Sequence, residues 1–382
     1  MTNTNRGWLC CQLGAREHYI VPRALQQIGL LRELITDLWI RPGSLRFHPD
    51  LSSTRITALN VGALSFELKA RIRGVTGWNL ISKRNDWFQG SVAQLTQRQQ
   101  NGEKLNVFAY SYAAEGIFKV GRERGWRTVL GQIDPGPAEE RIVARLMPNG
   151  NNSAPPEYWR RWRNECELAD QIVVNSNWSR KALLSEGIAA EKIRIIPLAF
   201  EPDPESRSFR RSYPTAFTSQ RPLRVLFLGQ INVRKGAIPL FDAIQKLSGE
   251  PIEFRFVGPL QVDIPAGVRD KIKWFGIASR QDVARYYRDA DVFILPTFSD
   301  GFGLTQLEAQ SWKLPVIASR NCGDVVTNGV NGVLLEEVTS GAIAEALQQL
   351  LRSPATLRSM SENSRVDERF SLPALAASLS SL

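Results

Sequence analysis

Two carboxylates eight residues apart, Asp300 and Glu308, bracket two glycines in Pro296-Thr-Phe-Ser-Asp-Gly-Phe-Gly-Leu-Thr-Gln-Leu-Glu-Ala-Gln-Ser-Trp-Lys-Leu-Pro315. Carboxylates accept hydrogen bonds from hydroxyls. Gly301 and Gly303 let the backbone come close to a ligand, and the N–H groups of a helix opening near Thr305 attract an anion. The combination suits a phosphate with hydroxyls beside it, the outline of a sugar nucleotide. The same residues also allow a plainer account, in which Thr305 to Glu308 is a capping box and Asp300-Gly301 a turn.

The apolar run 291–295 just before this stretch is short and branched, as a buried parallel strand is. Strand and helix signals alternate along the rest of the chain. Strands are expected at 8–13, 34–39, 106–110, 128–133, 171–176 and 193–197, and again at 223–228, 253–257, 273–275, 292–295 and 315–318. Helices are expected at about 19–31, 156–168, from 178, and at 239–247. Residues 201–220 carry Pro202, Pro204 and Pro214 without apolar periodicity, which reads as a linker. The expected architecture is α/β: two facing Rossmann-like domains, 1–200 and 221–365, with a cleft between their strand ends. A tail at about 366–382, helical from 372, is long enough to cross back to the first domain. Gly14 sits between the first strand and helix, where such folds seat phosphate, with His18 just beyond. Gln132 and Asp134 stand at a strand's carboxyl end, where open α/β sheets bind ligands. Asp37, Asp134 and His18 are the candidate contacts on the acceptor side.

A chain of 382 residues suggests two domains, and its 43% hydrophobic and 23% charged composition argues against disorder. No apolar run reaches the roughly 20 residues of a membrane-spanning helix. Cys10, Cys11, Cys166 and Cys322 lack disulfide or metal spacing, and the first residues lack a signal peptide's apolar region, so a cytoplasmic protein is expected. Residues 1–200 hold 27 Lys and Arg against 18 Asp and Glu, while the remainder holds 21 against 20. The first half therefore suits an anionic partner. Residues 66–88 interleave Lys69, Arg71, Arg73, Lys83 and Arg84 with Trp78, Trp87 and Phe88. They fit either a peripheral contact with an anionic membrane, at its inner face, or an insertion packing its aromatics inward. Nucleic acid fits poorly, since no nucleic-acid-binding motif accompanies the charge.

The acid stretch resembles the signature of the retaining glycosyltransferases of family four, P-S-x-x-E-G-F-G-L-x-x-x-E-A. Phe-Leu-Gly-Gln-Ile-Asn-Val-Arg-Lys-Gly236 resembles that family's phosphate loop. Residues 169–176, 192–197 and 329–332 resemble its interdomain strands and the loop after the acid helix. The likeness is clear over about 165–382 and covers the first half only in layout. It implies the GT-B fold and a hexosyl transfer from a nucleoside-diphosphate sugar, in polysaccharide or glycolipid biosynthesis. By this resemblance Glu308 holds the donor ribose and Asp300 lies near the sugar hydroxyls. Lys235 with Arg234 neutralises the diphosphate, supported by the amides of Gly303 and Leu304. Phe302, Gly229, Gln230 and Gly14 complete the donor side.

Three positions depart from the pattern. Asp300 replaces the usual glutamate, Gln230 the usual arginine, and Gln132 stands where the family often has a histidine, with His18 the candidate to serve instead. No cofactor and no metal is implied, since no Asp-x-Asp arrangement is expected to hold one against the diphosphate and cationic side chains can neutralise the leaving phosphate. The acceptor is left open among glycan, lipid and small molecule. The alternatives are a GT-B epimerase or phosphorylase, or a degenerate protein that binds nucleotide or glycan without turnover.

Overall fold

The computed structural model describes residues 6–40, 42–98, 102–148, 150, 153–279 and 282–382. Strands that are apolar on both faces must be covered on both sides, and helices from the crossover connections do this here. The first sheet contains β1 (Trp8–Gln12), β2 (Leu31–Thr36), β3 (Ile56–Ala58), β4 (Asn106–Tyr110), β5 (Arg127–Gly131), β6 (Gln171–Val174) and β7 (Ile193–Ile195). Its order is β3-β2-β1-β4-β5-β6-β7, with parallel pairing throughout. Around it lie α1 (Ile20–Gln27), α2 (Asn60–Ile72), α3 (Gly77–Arg98), α4 (Glu115–Glu123), α5 (Pro137–Leu146), α6 (Pro156–Leu168) and α7 (Asn177–Ser185).

The second sheet contains β8 (Leu223–Leu228), β9 (Ile252–Val257), β10 (Ile272–Trp274), β11 (Val292–Leu295), β12 (Val316–Ser319) and β13 (Gly332–Leu335). Its order is β10-β9-β8-β11-β12-β13, again all parallel. Its helices are α8 (Ala237–Lys246), α9 (Ala266–Arg269), α10 (Val283–Asp289), α11 (Thr305–Ser311), α12 (Ser340–Arg352) and α13 (Pro354–Asn363). In both sheets the winding reverses beside the first strand, at β1–β4 and at β8–β11. A crevice opens at the carboxyl ends of such strands, where ligands bind in open α/β sheets.

The final helix, α14 (Leu372–Ser380), crosses back. Its Leu375, Ala376 and Leu379 share a buried cluster with Ile20, Ala24 and Leu25 of α1. The two-domain α/β reading therefore holds, with local differences. The second strand runs from Leu31 to Thr36 because Leu31 pairs with Trp8, and the chain leaves the sheet at Asp37. The first helix begins at Ile20, because Glu17, His18 and Tyr19 all have positive φ.

Residues 201–220 hold no strand or α-helix but are pinned to the second domain. The Arg211 guanidinium donates to the carbonyls of Tyr287 (2.8 Å) and Trp312 (2.8 Å), and Tyr213 and Phe217 are buried. Within 66–88 the aromatics turn inward. Phe66 stacks on Trp87 at 5.6 Å, Trp78 meets Tyr158 edge-on at 5.0 Å, and Phe88 is buried. No helix among the described residues is long and apolar enough to cross a membrane.

Candidate active site

β8 and β11 are neighbouring strands, so the loops that follow them, 229–236 and 296–304, lie side by side. Gly236 adopts φ +78° directly against the Pro296 carbonyl, where any side chain would collide. Phe298 N–H (2.8 Å) and Thr297 Oγ1 (3.1 Å) donate to the Arg234 carbonyl, and Arg234 Nη1 donates to the Ser299 carbonyl at 2.8 Å. Thus joined, the loops bring Lys235 Nζ onto Asp300 Oδ2 in an ion pair with both side chains mostly buried. Burial works against the Asp300 carboxylate, but the Lys235 charge and hydrogen bond, with Arg234 beyond, outweigh it and hold its pKa below the ordinary value. The amide of Phe302 also donates to Asp300 Oδ1 at 3.3 Å.

α11 opens at Thr305 with Leu304 as its N-cap residue, so Thr305 is inside the helix and the capping-box account of 305–308 fails. Glu308 Oε2 instead accepts a 2.6 Å hydrogen bond from the Tyr287 hydroxyl of α10. Glu308, Leu304 and Thr305 line a cavity of about 600 Å³ that extends to Ala278 and Val283, and His18 of the first domain reaches its wall. Phe302 is different. Its ring is buried against Phe370 at 5.8 Å, in a cluster with Leu307 and Val325, so only its backbone belongs to the loop's polar face. Gln230 is exposed beside Gly229, and its Oε1 accepts from Asn232 Nδ2 at 3.4 Å.

The first domain meets this loop directly. Gly301 packs on the Ile133 carbonyl and the Asp134 Cα, leaving no room for a Cβ. Its own carbonyl accepts from Ser176 Oγ (2.8 Å), and Trp178 Nε1 donates to Ser299 Oγ at 3.1 Å. Ser299 Oγ donates in turn to Glu139 Oε2 at 2.8 Å, and Arg234 Nη1 stands 3.4 Å from the same oxygen. Burial pushes the Glu139 pKa up to about 7. Arg234 and the Ser299 hydrogen bond work against that rise, while Asp134 and Asp300 contribute to it. Sequence reasoning missed both Glu139 and Tyr287. Glu139 carries one faint signal, an acid in the first turn of a helix that follows the Asp134 loop. Tyr287 carries none.

Asp134 accepts from Tyr112 Oη (2.5 Å) and Gly136 N (2.8 Å). Gln132 is buried: its Nε2 donates to the Asp134 carbonyl at 3.0 Å, and its Oε1 accepts from Trp162 Nε1 at 2.9 Å. Its amide is spent on holding the Asp134 loop. A cavity of about 220 Å³ adjoins it, lined by Arg16, Trp78, Tyr112, Asp134 and Tyr158.

Asp37 accepts from Gly14 N (2.9 Å) and Arg46 Nη1 (3.0 Å), so it supports the first glycine loop from beneath. Gln12 Nε2 donates to the Gly14 carbonyl at 3.0 Å. Glu17, His18 and Tyr19 follow with φ of 42°, 53° and 61°, a strained turn that costs about 1–3 kcal/mol per residue. The Tyr110 hydroxyl donates to Glu17 at 3.1 Å, and Tyr19 Oη donates to the Leu38 carbonyl at 3.2 Å. The turn's geometry delivers His18 to the cavity shared with Glu308.

Asp289 and Asp291 have the Asp-x-Asp spacing of many metal sites, but Asp291 lies at the amino end of β11, bound by Arg221 at 2.6 Å, away from the crevice. All four cysteines are free and buried.

Residues 222–353 match the family described as "Glycosyl transferases group 1". The chain carries a glycosyl transferases group 1 domain. This domain contains both loops of the candidate site. Among curated relatives, the chain is 27% identical over 201 residues to the amylovoran biosynthesis glycosyltransferase AmsK of Erwinia amylovora, covering 48% of each chain. It is 27% identical over 227 residues to a D-inositol 3-phosphate glycosyltransferase of a Mycobacterium species (strain KMS), covering 56% of this chain and 52% of the relative. The chain thus spans about half the length of the curated relatives it matches. Among solved structures, it resembles Anabaena Alr3699/HepE in complex with UDP and glucose, with a TM-score of 0.64 at 14% identity, over 99% of this chain and 100% of that one. It also resembles sucrose-phosphate synthase of Thermosynechococcus elongatus, with a TM-score of 0.64 at 19% identity, over 98% and 97%. The group 1 domain and the domain facing it together form the GT-B fold.

Proposed function

We propose that this protein is a retaining glycosyltransferase of family four that moves a sugar from a nucleoside diphosphate to an acceptor held by the first domain. The observation that carries the reading is the Lys235–Asp300 pair, set at a switch point one loop away from Glu308. The relatives named as glycosyltransferases and the neighbour seen with UDP and glucose support the same class of donor.

In this reading Glu308, oriented by Tyr287, takes the ribose hydroxyls. Lys235 and Arg234 face the diphosphate, and Asp300 turns from Lys235 towards the sugar. As the bond from the anomeric carbon to the phosphate oxygen breaks, negative charge grows on the phosphate, and a fixed cation stabilises it there. The acceptor oxygen attacks from the same face, and its proton passes to the departing phosphate. No protein nucleophile is needed. The cations neutralise the diphosphate without a metal or cofactor, and the acceptor is a glycan, a lipid or a small molecule.

A second reading, a nucleotide- or glycan-binding protein without turnover, draws on one observation: Lys235 and Arg234 each already face a carboxylate, Asp300 and Glu139. One experiment separates the two. UDP-, GDP- and ADP-sugars are screened by thermal shift, and the hit is assayed for release of free nucleoside diphosphate. Ligand at about 100 times its Kd raises stability by roughly 2.7 kcal/mol. Selective stabilisation with release of diphosphate supports the transferase. Stabilisation without release, even with candidate acceptors added, supports the binding protein, and no stabilisation overturns the transferase and nucleotide binding alike.

A further inference from the structure

With the aromatics of 66–88 turned inward, a different set of residues faces out from the same region. Val61, Leu64, Leu68 and Ile72 of α2 are 83%, 64%, 61% and 75% exposed. Their spacing of three, four and four places them on one face of a helix with 3.6 residues per turn. The opposite face is where α2 joins the domain, through buried Ala63 and Ala70 and through Phe66 on Trp87. Single exposed aliphatics are ordinary on a protein surface, but a continuous aliphatic stripe marks an interaction surface.

Charge identifies what covers it. Lys69 and Arg71 project on either side of the stripe, Arg73 follows at its end, and Lys83 on α3 is exposed nearby. Glu67, the acid of α2, is held in an ion pair by Arg84, and Asp86 of α3 is held by Arg161. The surface thus offers cations around an aliphatic strip while its acids are neutralised. A helix lying in a lipid interface has this pattern, with aliphatic groups below the headgroups and cations at phosphate level. Position agrees with it. Trp78 and Ile81 of α3, the helix packed beside α2, line the first domain's 220 Å³ cavity, and Ile81 is also 42% exposed.

We propose that α2 is a docking helix for an anionic lipid surface, seating Val61, Leu64, Leu68 and Ile72 among the acyl chains and Lys69, Arg71, Arg73 and Lys83 against phosphates. The docked surface then lies beside a wall of that cavity. The inference stands on exposure and charge alone, and so does not depend on the donor reading.

Flotation of the full chain with vesicles tests it, using phosphatidylcholine alone and phosphatidylcholine with phosphatidylglycerol. The protein is expected to float with the anionic vesicles, to be released by raised salt, and to stay behind with the neutral ones. Leu64→Ser with Leu68→Ser should lower partitioning at least about tenfold. Lys69→Gln, Arg71→Gln and Arg73→Gln together should lower it by about fivefold for each cation removed. Melting point and nucleotide binding should be unchanged in both variants, which separates lost docking from lost folding. No flotation, equal flotation with neutral vesicles, or stripe variants that float as well as wild type would overturn the proposal. So would a dimer in light scattering that the Leu64 and Leu68 substitutions convert to monomer, because the stripe would then belong to a second copy of this chain.

Discussion

The two sides of the cleft are built differently. On the second-domain side the charged groups sit in loops of eight or nine residues after adjacent strands. Lys235, Arg234 and Asp300 are fixed by hydrogen bonds to backbone carbonyls and an ion pair between those loops. On the first-domain side the polar groups come from four separate connections, with Asp37 under Gly14, Gln132 and Tyr112 under Asp134, and a strained turn carrying His18. A compact, rigid site suits a part of the substrate that stays constant, which in the proposed reading is the diphosphate. A scattered site can change residue by residue without disturbing the sheet, which suits an acceptor.

That contrast predicts a ranking of effects. The largest belongs to Lys235→Ala, expected to lower sugar transfer or donor hydrolysis by about 10²–10³-fold. Lys235→Arg should restore part of it, measured by diphosphate release at saturating donor. Next is Gly301→Ala, whose Cβ would be driven into the Ile133 carbonyl. Overpacking of this kind costs about 1–3 kcal/mol, so we expect roughly a tenfold loss in kcat/KM with each domain still folded. A wild-type rate in this variant would show that the contact between Gly301 and the first domain is dispensable.

Tyr287→Phe removes the hydroxyl on Glu308 and should weaken nucleoside diphosphate binding by about tenfold, read by calorimetry. Unchanged affinity would mean that Glu308 needs no support from α10.

The last prediction is read on stability against pH rather than on transfer or binding. The Glu139 pKa is raised in the fold, from 4.5 to about 7, so its protonated form favours the native state. The contribution is complete below pH 4.5 and is lost as pH climbs to about 7, on the order of 3 kcal/mol in all. Melting points should therefore fall across that window, less steeply in Glu139→Gln. Glu165, whose pKa burial also pushes up to about 7, should keep a residual slope of the same sign. Identical slopes in wild type and variant would remove Glu139 from the account.

The same contrast decides what the sequence could reveal. The acid stretch is contiguous, so strand, loop and helix were legible at 292–311, as was α6 at 156–168. The supports are not contiguous. Tyr287 meets Glu308 across 21 residues, and Glu139 meets Ser299 across 160, contacts no local pattern carries. The region 66–88 stood out by composition, yet its aromatics found partners inside. The exposed aliphatics begin earlier, at Val61, and show only once the inward face of α2 is known. The place of His18 after Gly14 marks it as a candidate in the sequence, but its route into the cavity runs through three positive φ values that the residue types do not signal.

The most direct test of the central claim, that the second-domain cation carries the chemistry while Gln132 only supports its loop, is one comparison of kcat. Nucleoside diphosphate release from the preferred donor is measured for wild type, Lys235→Ala and Gln132→Ala, with a melting curve for each. We predict a loss of about 10²–10³-fold for Lys235→Ala and a much smaller loss for Gln132→Ala, all three remaining folded. Near wild-type turnover in Lys235→Ala, with Gln132→Ala inactive, would contradict the account and move the chemistry to the first domain.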